Sequence, residues 1–158
     1  MDPHSLSSKA LLPTVQLILV RGVMSITASP FSIIDSTFST SVAYGSGVMY
    51  VYNVSSFNIT NSTHTTNTVV QGGGVMFTLY STFNIANTTF TNNSAHRGAR
   101  VLSTGLCLFN ITNSTFTSNS ALTESGGVMF TSNSSFTITN STFINNAAVI
   151  YGGVILYY

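Results

Sequence analysis

Residues 83–93 read FNIANTTFTNN, and residues 109–119 read FNITNSTFTSN, 26 positions later. In each segment Phe and Ile alternate with polar residues, and a second Phe then sits between two Thr. Alternation with a period of two is the pattern of a half-buried strand. The Asn and Ser/Thr between the two Phe supply turn chemistry. Helix is a poor account of segments rich in Thr, Ile and Phe and broken by Asn and Gly.

The same spacing runs outward through the chain in three phases. Phe31/Ile33, Phe57/Ile59, Phe83/Ile85, Phe109/Ile111 and Phe136/Ile138 step by 26, 26, 26 and 27 residues. Thr37-Phe38, Thr63-His64, Thr89-Phe90, Thr115-Phe116 and Thr142-Phe143 keep the same steps, with His64 in place of Phe. A third anchor, Gly-Val-Met, recurs at Gly22, Gly47, Gly74 and Gly127, with variants beginning at Arg100 and Gly153. Three short strands in ~26 residues cannot bury their apolar faces alone. Stacked coils do so by placing Phe over Phe and Ile over Ile, and each buried ring or branched chain contributes roughly 1.5–3 kcal/mol. Both columns are expected to be structural ladders. The expected fold is an all-β, right-handed parallel β-helix of about five to six coils. In the Gly-Val-Met strand either the Val or the Met could face the core, since both columns are apolar.

Two Asn columns mark the turns. Asp35, Asn61, Asn87, Asn113 and Asn140 precede the corner before the Thr-Phe strand. Asn67, Asn93, Asn119 and Asn146 lie three residues after its central Phe or His, where the first coil has Ser41. Asn tolerates left-handed backbone, and stacked amides bond one another along an axis. Both columns are expected to be structural ladders, and the Asn61 column is expected to be closed to modification.

Composition agrees with stacking. Hydrophobic residues make up 44% of the 158 residues and charged ones 4%, against a usual ~25% charged. A charge at a stacked position would recur every ~4.8 Å as a like-charge column. The net charge of +1 offers no footprint for nucleic acid or an anionic membrane. No run reaches the ~18 apolar residues of a membrane helix. The single cysteine, Cys107, excludes an internal disulfide framework and reads as a small core residue.

Residues 1–21 form an N-terminal segment, readable as a cap, a strand or a weak signal-like stretch, and residues 22–158 carry the repeats. Leu11–Val20 is apolar, follows Lys9, and precedes a cleavage-like Ile26-Thr27-Ala28. Against a signal, Arg21 comes next and Gly22 already opens the repeat.

Gly73–Met76, Gly126–Met129 and Gly152–Ile155, together with Phe90–Asn93, Phe116–Asn119 and Phe143–Asn146, resemble the paired GGA(I/L/V) and FxxN repeats of the polymorphic outer membrane protein family. The likeness spans about residues 22–155, with Val where the family has Ala. It implies a β-helical passenger on a cell surface with a role in adhesion. The family's C-terminal membrane barrel has no counterpart here, so the chain reads as a fragment or as a relative secreted differently.

Residues for catalysis are scarce. Sugar-cleaving β-helices gather carboxylates in one groove. Here Asp35 and Glu124 are three coils apart and Asp2 is terminal. His64 takes an inward Phe place, and His96, Arg97 and Arg100 share a loop that reads as solvated. Gly72-Gly73-Gly74 lacks the Lys and helix of a phosphate loop. The chain therefore reads as a non-enzyme with no catalytic residue, metal site or cofactor.

Two surface features remain. Of nine Asn-x-Ser/Thr sequons, those at Asn53 and Asn133 in turns, and at Asn58 and Asn110 outward on a strand, are the best glycan acceptors. Thr63/Thr65, Thr89/Thr91 and Thr115/Thr117, flanked by Thr37/Ser39 and Thr142/Ile144, would stack into a flat outward array similar to the faces of ice-binding β-helices. Ala147–Tyr158 is apolar and uncharged, and an uncapped coil exposes strand edges. The expected partners are therefore other copies stacked end to end, with a cell-surface protein or glycan beside them. The expected setting is extracellular or cell-surface.

Overall fold

A computed structural model describes residues 7–8, 11–12, 24–45, 47–71, 74–96, 100–122, 128–149 and 154–158. All regular structure among them is strand, and every strand pairing is parallel. Among the described residues no helix is long and apolar enough to cross a membrane.

The strands stack into four sheets. The Gly-Val-Met sheet holds Met24–Thr27, Met49–Tyr52, Gly74–Leu79, Arg100–Gly105, Met129–Ser132 and Ile155–Tyr157. The Phe-x-Ile sheet holds Phe31–Ile34, Phe57–Thr60, Thr82–Ala86, Leu108–Thr112 and Ser135–Thr139. The Thr-Phe sheet holds Thr37–Ser39, Thr63–Thr65, Thr89–Thr91, Thr115–Thr117 and Thr142–Ile144. Register follows the repeat: Phe83 pairs with Phe57 and Phe109, and Thr89 with Thr63 and Thr115.

The fourth sheet corrects the expectation of three strands per coil. It consists of the pairs Val42–Ala43, Thr68–Val69, Ser94–Ala95, Ser120–Ala121 and Ala147–Ala148. Each pair sends one small residue inward, and Ala43, Val69 and Ala95 are fully buried. Two residues are too few to show an alternation, so this strand leaves no periodic signal.

Inward residues form the core. Phe57, Ile59, Phe83, Ile85, Phe109 and Ile111 are buried, while Asn58, Asn84 and Asn110 between them are exposed. Both Val and Met of the first anchor are buried: Val48 and Met49, Val75 and Met76, Val128 and Met129. Met49 is the first inward residue of its strand, and Val48 precedes that strand. Two adjacent apolar columns are thus used together.

Phe136 and Ile138 continue the Phe and Ile ladders into the last described strand of the sheet. Ile138 pairs in register with Ile111, and Phe136 with Phe109. Yet Ile138 and Phe136 are only half-buried, packed against the core rather than enclosed in it. The reason is position in the sheet. Ser135–Thr139 is the edge strand of the described Phe-x-Ile sheet, so neighbouring strands of that sheet cover Ile138 on one side along the axis, whereas Ile111 is covered on both. An edge rung of a stack recovers only part of the burial energy of an internal one.

Upstream of Gly22, Ser7–Ser8 pairs with Ser32 and Ile33, and Leu11–Leu12 pairs with Thr37 and Phe38. Part of residues 1–21 is therefore strand, in the register of a preceding coil. The signal-like stretch beyond Leu12 lies outside the described residues.

Candidate functional site

The interior is built of columns. Phe31, Phe57, Phe83, Phe109 and Phe136 stack with ring centroids 4.7–5.2 Å apart. Ile33, Ile59, Ile85, Ile111 and Ile138 run beside them in matching register. Phe38, His64, Phe90, Phe116 and Phe143 form a second aromatic stack at 4.6–4.8 Å. His64 is fully buried, and neither ring nitrogen has a hydrogen-bond partner. Burial alone pushes its pKa down from 6.5 to about 3, because a charged imidazolium there would lose its water without gaining a partner.

The Asn67 column is a complete ladder. Asn67 Nδ2 donates to Phe38 O at 2.9 Å and to Asn93 Oδ1 at 3.0 Å. Asn93 Nδ2 repeats this toward His64 O and Asn119 Oδ1, and Asn119 Nδ2 toward Phe90 O and Asn146 Oδ1. Each Oδ1 also accepts a backbone N–H from the preceding coil, including that of Ser41 onto Asn67.

The Asn61 column differs from the expectation. Asn61, Asn87, Asn113 and Asn140 are exposed, with φ between 48° and 52°. One amide-to-amide bond joins them, from Asn87 Nδ2 to Asn61 Oδ1 at 3.2 Å. Their structural role is left-handed backbone at the corner, which Asn adopts at low cost; burial does not close them to modification. The side-chain ladder at this corner is the next column. Ser36, Ser62, Thr88, Ser114 and Ser141 each donate to the carbonyl two residues back, or accept the backbone N–H of the coil before, and most do both. The signal for it lay in the Ser/Thr that follows every corner Asn or Asp.

A third corner repeats the device with Val54, Ser81, Cys107 and Ser134. Val54 N donates to Ser81 Oγ at 3.1 Å, and Cys107 N to Ser134 Oγ at 3.0 Å. Cys107 is a buried free thiol whose Sγ faces Gly105 O at 3.2 Å, and burial raises its pKa. It replaces a ladder serine.

On the outside, Thr63, Thr89 and Thr115 stand in one registered column and Thr65, Thr91 and Thr117 in another, all half-buried. The sequon residues Asn53 and Asn133 are exposed at left-handed corners. Asn58 and Asn110 are exposed but bonded: Asn110 Nδ2 donates to Asn84 Oδ1, and Asn84 Nδ2 to Asn58 Oδ1, both at 3.0 Å. Asn84 is the member that sequon reading passes over.

A surface groove of about 610 Å³ opens between the Gly-Val-Met and Phe-x-Ile sheets, lined in part by Ser55, Tyr80, Thr82, Leu106, Leu108 and Asn133. Asp35 sits at an exposed corner, coils away from Cys107 and on the opposite end of the Phe-x-Ile strands. Asp2, Arg97, Glu124 and the Arg100 side chain lie outside the described residues. Among the described residues no three His, Cys, Asp or Glu gather as a metal-ligand set.

The geometry defines a parallel β-solenoid with a packed lumen and side-chain ladders at its corners. The family model described as "Right handed beta helix region" matches residues 17–158, and the chain belongs to that family. Comparison with curated proteins and with solved structures returns no significant match.

Proposed function

We propose that this chain is a non-catalytic extracellular β-helix with a structural or adhesive role, related to the repeats of polymorphic outer membrane proteins, and able to assemble end to end. One observation carries the reading: the recurring side chains are consumed by stacking. Two aromatic columns fill the lumen, and hydrogen-bonded ladders close three corners. A repeat of this kind specifies a rigid rod, and its capacity for contact lies along its length. The GGA/FxxN-like motifs favour a surface setting. End-to-end assembly is supported by the repeat itself, because each coil edge offers the same register as the next.

The test is antibody labelling of intact source cells, with electron microscopy of the purified chain. Surface label and rods longer than one chain are expected. Label only after permeabilisation overturns the surface role, and single short particles overturn end-to-end assembly.

The registered Thr63/Thr89/Thr115 and Thr65/Thr91/Thr117 columns favour a second reading, ice binding. Thermal hysteresis lost on Thr89→Tyr would support it, and a high concentration of wild-type chain without hysteresis would exclude it.

A further inference from the structure

One corner breaks the rule that the other two keep. The left-handed position before the Phe-x-Ile sheet is filled by Ala28, Asn53, Tyr80, Leu106 and Asn133, with φ of 54°, 54°, 51°, 53° and 46°. The other two corners use only Asp, Asn, Thr and Ser. Asn and Asp enter this conformation at low cost, whereas the bulky apolar Tyr and Leu are strained there. Burial does not offset the strain: Tyr80 is 51% exposed and Leu106 49%. Leu108, in register with Thr82 and Ser135, is 55% exposed. Tyr52 meets Tyr80 edge to face at 5.7 Å. Strained backbone and exposed apolar side chains thus coincide at the 610 Å³ groove, the combination that marks a contact site.

We propose that this groove is a side-by-side docking site for a second copy of the chain. Charge selects the occupant. Among the described residues no Asp, Glu, Lys, Arg or His lines the groove, so a charged partner would give up water without finding a counter-ion there. With 4% charged residues and a net charge of +1, another copy brings neither that cost nor net repulsion. Shape agrees. Leu106 and Leu108 project beside the hollow they help to line, so a two-fold arrangement seats each copy's leucines in the other's groove. The contact is lateral and independent of end-to-end stacking.

The experiment compares the full chain with the double variant Leu106→Asn, Leu108→Ser by sedimentation velocity over a range of concentrations. Both substitutions install residues that the repeat already uses in these columns, at Asn53 and Asn133 and at Ser135. The variant is therefore expected to unfold at the same or higher denaturant concentration. Its lateral dissociation constant is expected to rise by at least about 30-fold. Association that persists unchanged in the variant overturns the proposal and leaves only end-to-end assembly. A monomeric wild type overturns it as well, and if that monomer binds maltohexaose through Leu106 and Leu108 the groove is a glycan site.

Discussion

The imidazole of His64 lies face to face on Phe90, with ring centroids 4.6 Å apart and planes within 8°. The stack holds His64 neutral in a place built for a benzene ring, with its pKa lowered from 6.5 to about 3 by burial. An unfolded chain takes up the proton below pH 6.5, but the folded chain does so only near pH 3. Stability is therefore full above 6.5 and is lost as pH falls toward 3, by about 1.4 kcal/mol per pH unit. Denaturant titration at about pH 4.5 is expected to give roughly 2–3 kcal/mol less than at about pH 7. His64→Phe should abolish this His64 contribution and stabilise the chain at neutral pH, since it also removes two unpartnered nitrogens.

The two Asn columns should separate sharply under mutation. Asn93 Nδ2 donates hydrogen bonds to His64 O and Asn119 Oδ1, and its Oδ1 accepts two, from Asn67 N and Nδ2. Asn93→Ala strands buried partners in two neighbouring coils, and a loss of roughly 3–5 kcal/mol is expected. Asn113 contributes backbone conformation on the surface. Asn113→Ala should cost about 1 kcal/mol and Asn113→Gly almost nothing. Equal costs at the two sites would refute the assignment.

Gly47 has φ +101°, and a Cβ there would overlap the carbonyl oxygen of Gly74. Neither the dihedral nor the backbone contact can yield without moving a neighbouring coil. Gly47→Ala is expected to destabilise by at least about 2 kcal/mol. Gly105→Ala is the control: its Cβ would meet the flexible end of Leu79 at 2.7 Å, and a cost below about 1 kcal/mol is expected.

Much of the solenoid could be read from Phe83, Ile85 and Phe90 and their counterparts, because stacking forces one residue type to return at one spacing. The same columns hid other things. Ile111 and Ile138 share a repeat position, yet one is enclosed and the other half-buried, because burial depends on what stacks on each side and the repeat position does not record it. Asn61 and Asn67 are both recurrent asparagines, but one is selected by a dihedral and the other by a buried amide network, and recurrence alone does not distinguish them. The distinguishing pattern is a pair: a left-handed residue followed by an inward small polar one, as in Asn61-Ser62, Thr66-Asn67 and Tyr80-Ser81. Aligning the three corners on that pair, as well as on Phe, would have exposed Tyr80 and Leu106 as misfits. Averaging over the repeat conceals them, and contact sites on a solenoid are made of such departures.

Inside the Gly-Val-Met sheet, the second inward column runs Ile26, Val51, Thr78, Thr104, Thr131. All three Thr side chains are buried, and no Oγ1 has a partner. The repeat already shows that an aliphatic chain fits, since Val51 stacks directly against Thr78. Replacing the hydroxyl by a methyl keeps the branched shape and removes the cost of an unpaired polar group. Thr78→Val and Thr104→Val are each expected to stabilise by about 1–2 kcal/mol, read as a higher denaturation midpoint at unchanged slope. Because the two residues touch, the double variant need not be additive. Destabilisation by either substitution would instead place a bonded water against the hydroxyls in the lumen, and crystallography of the wild type at high resolution would locate it.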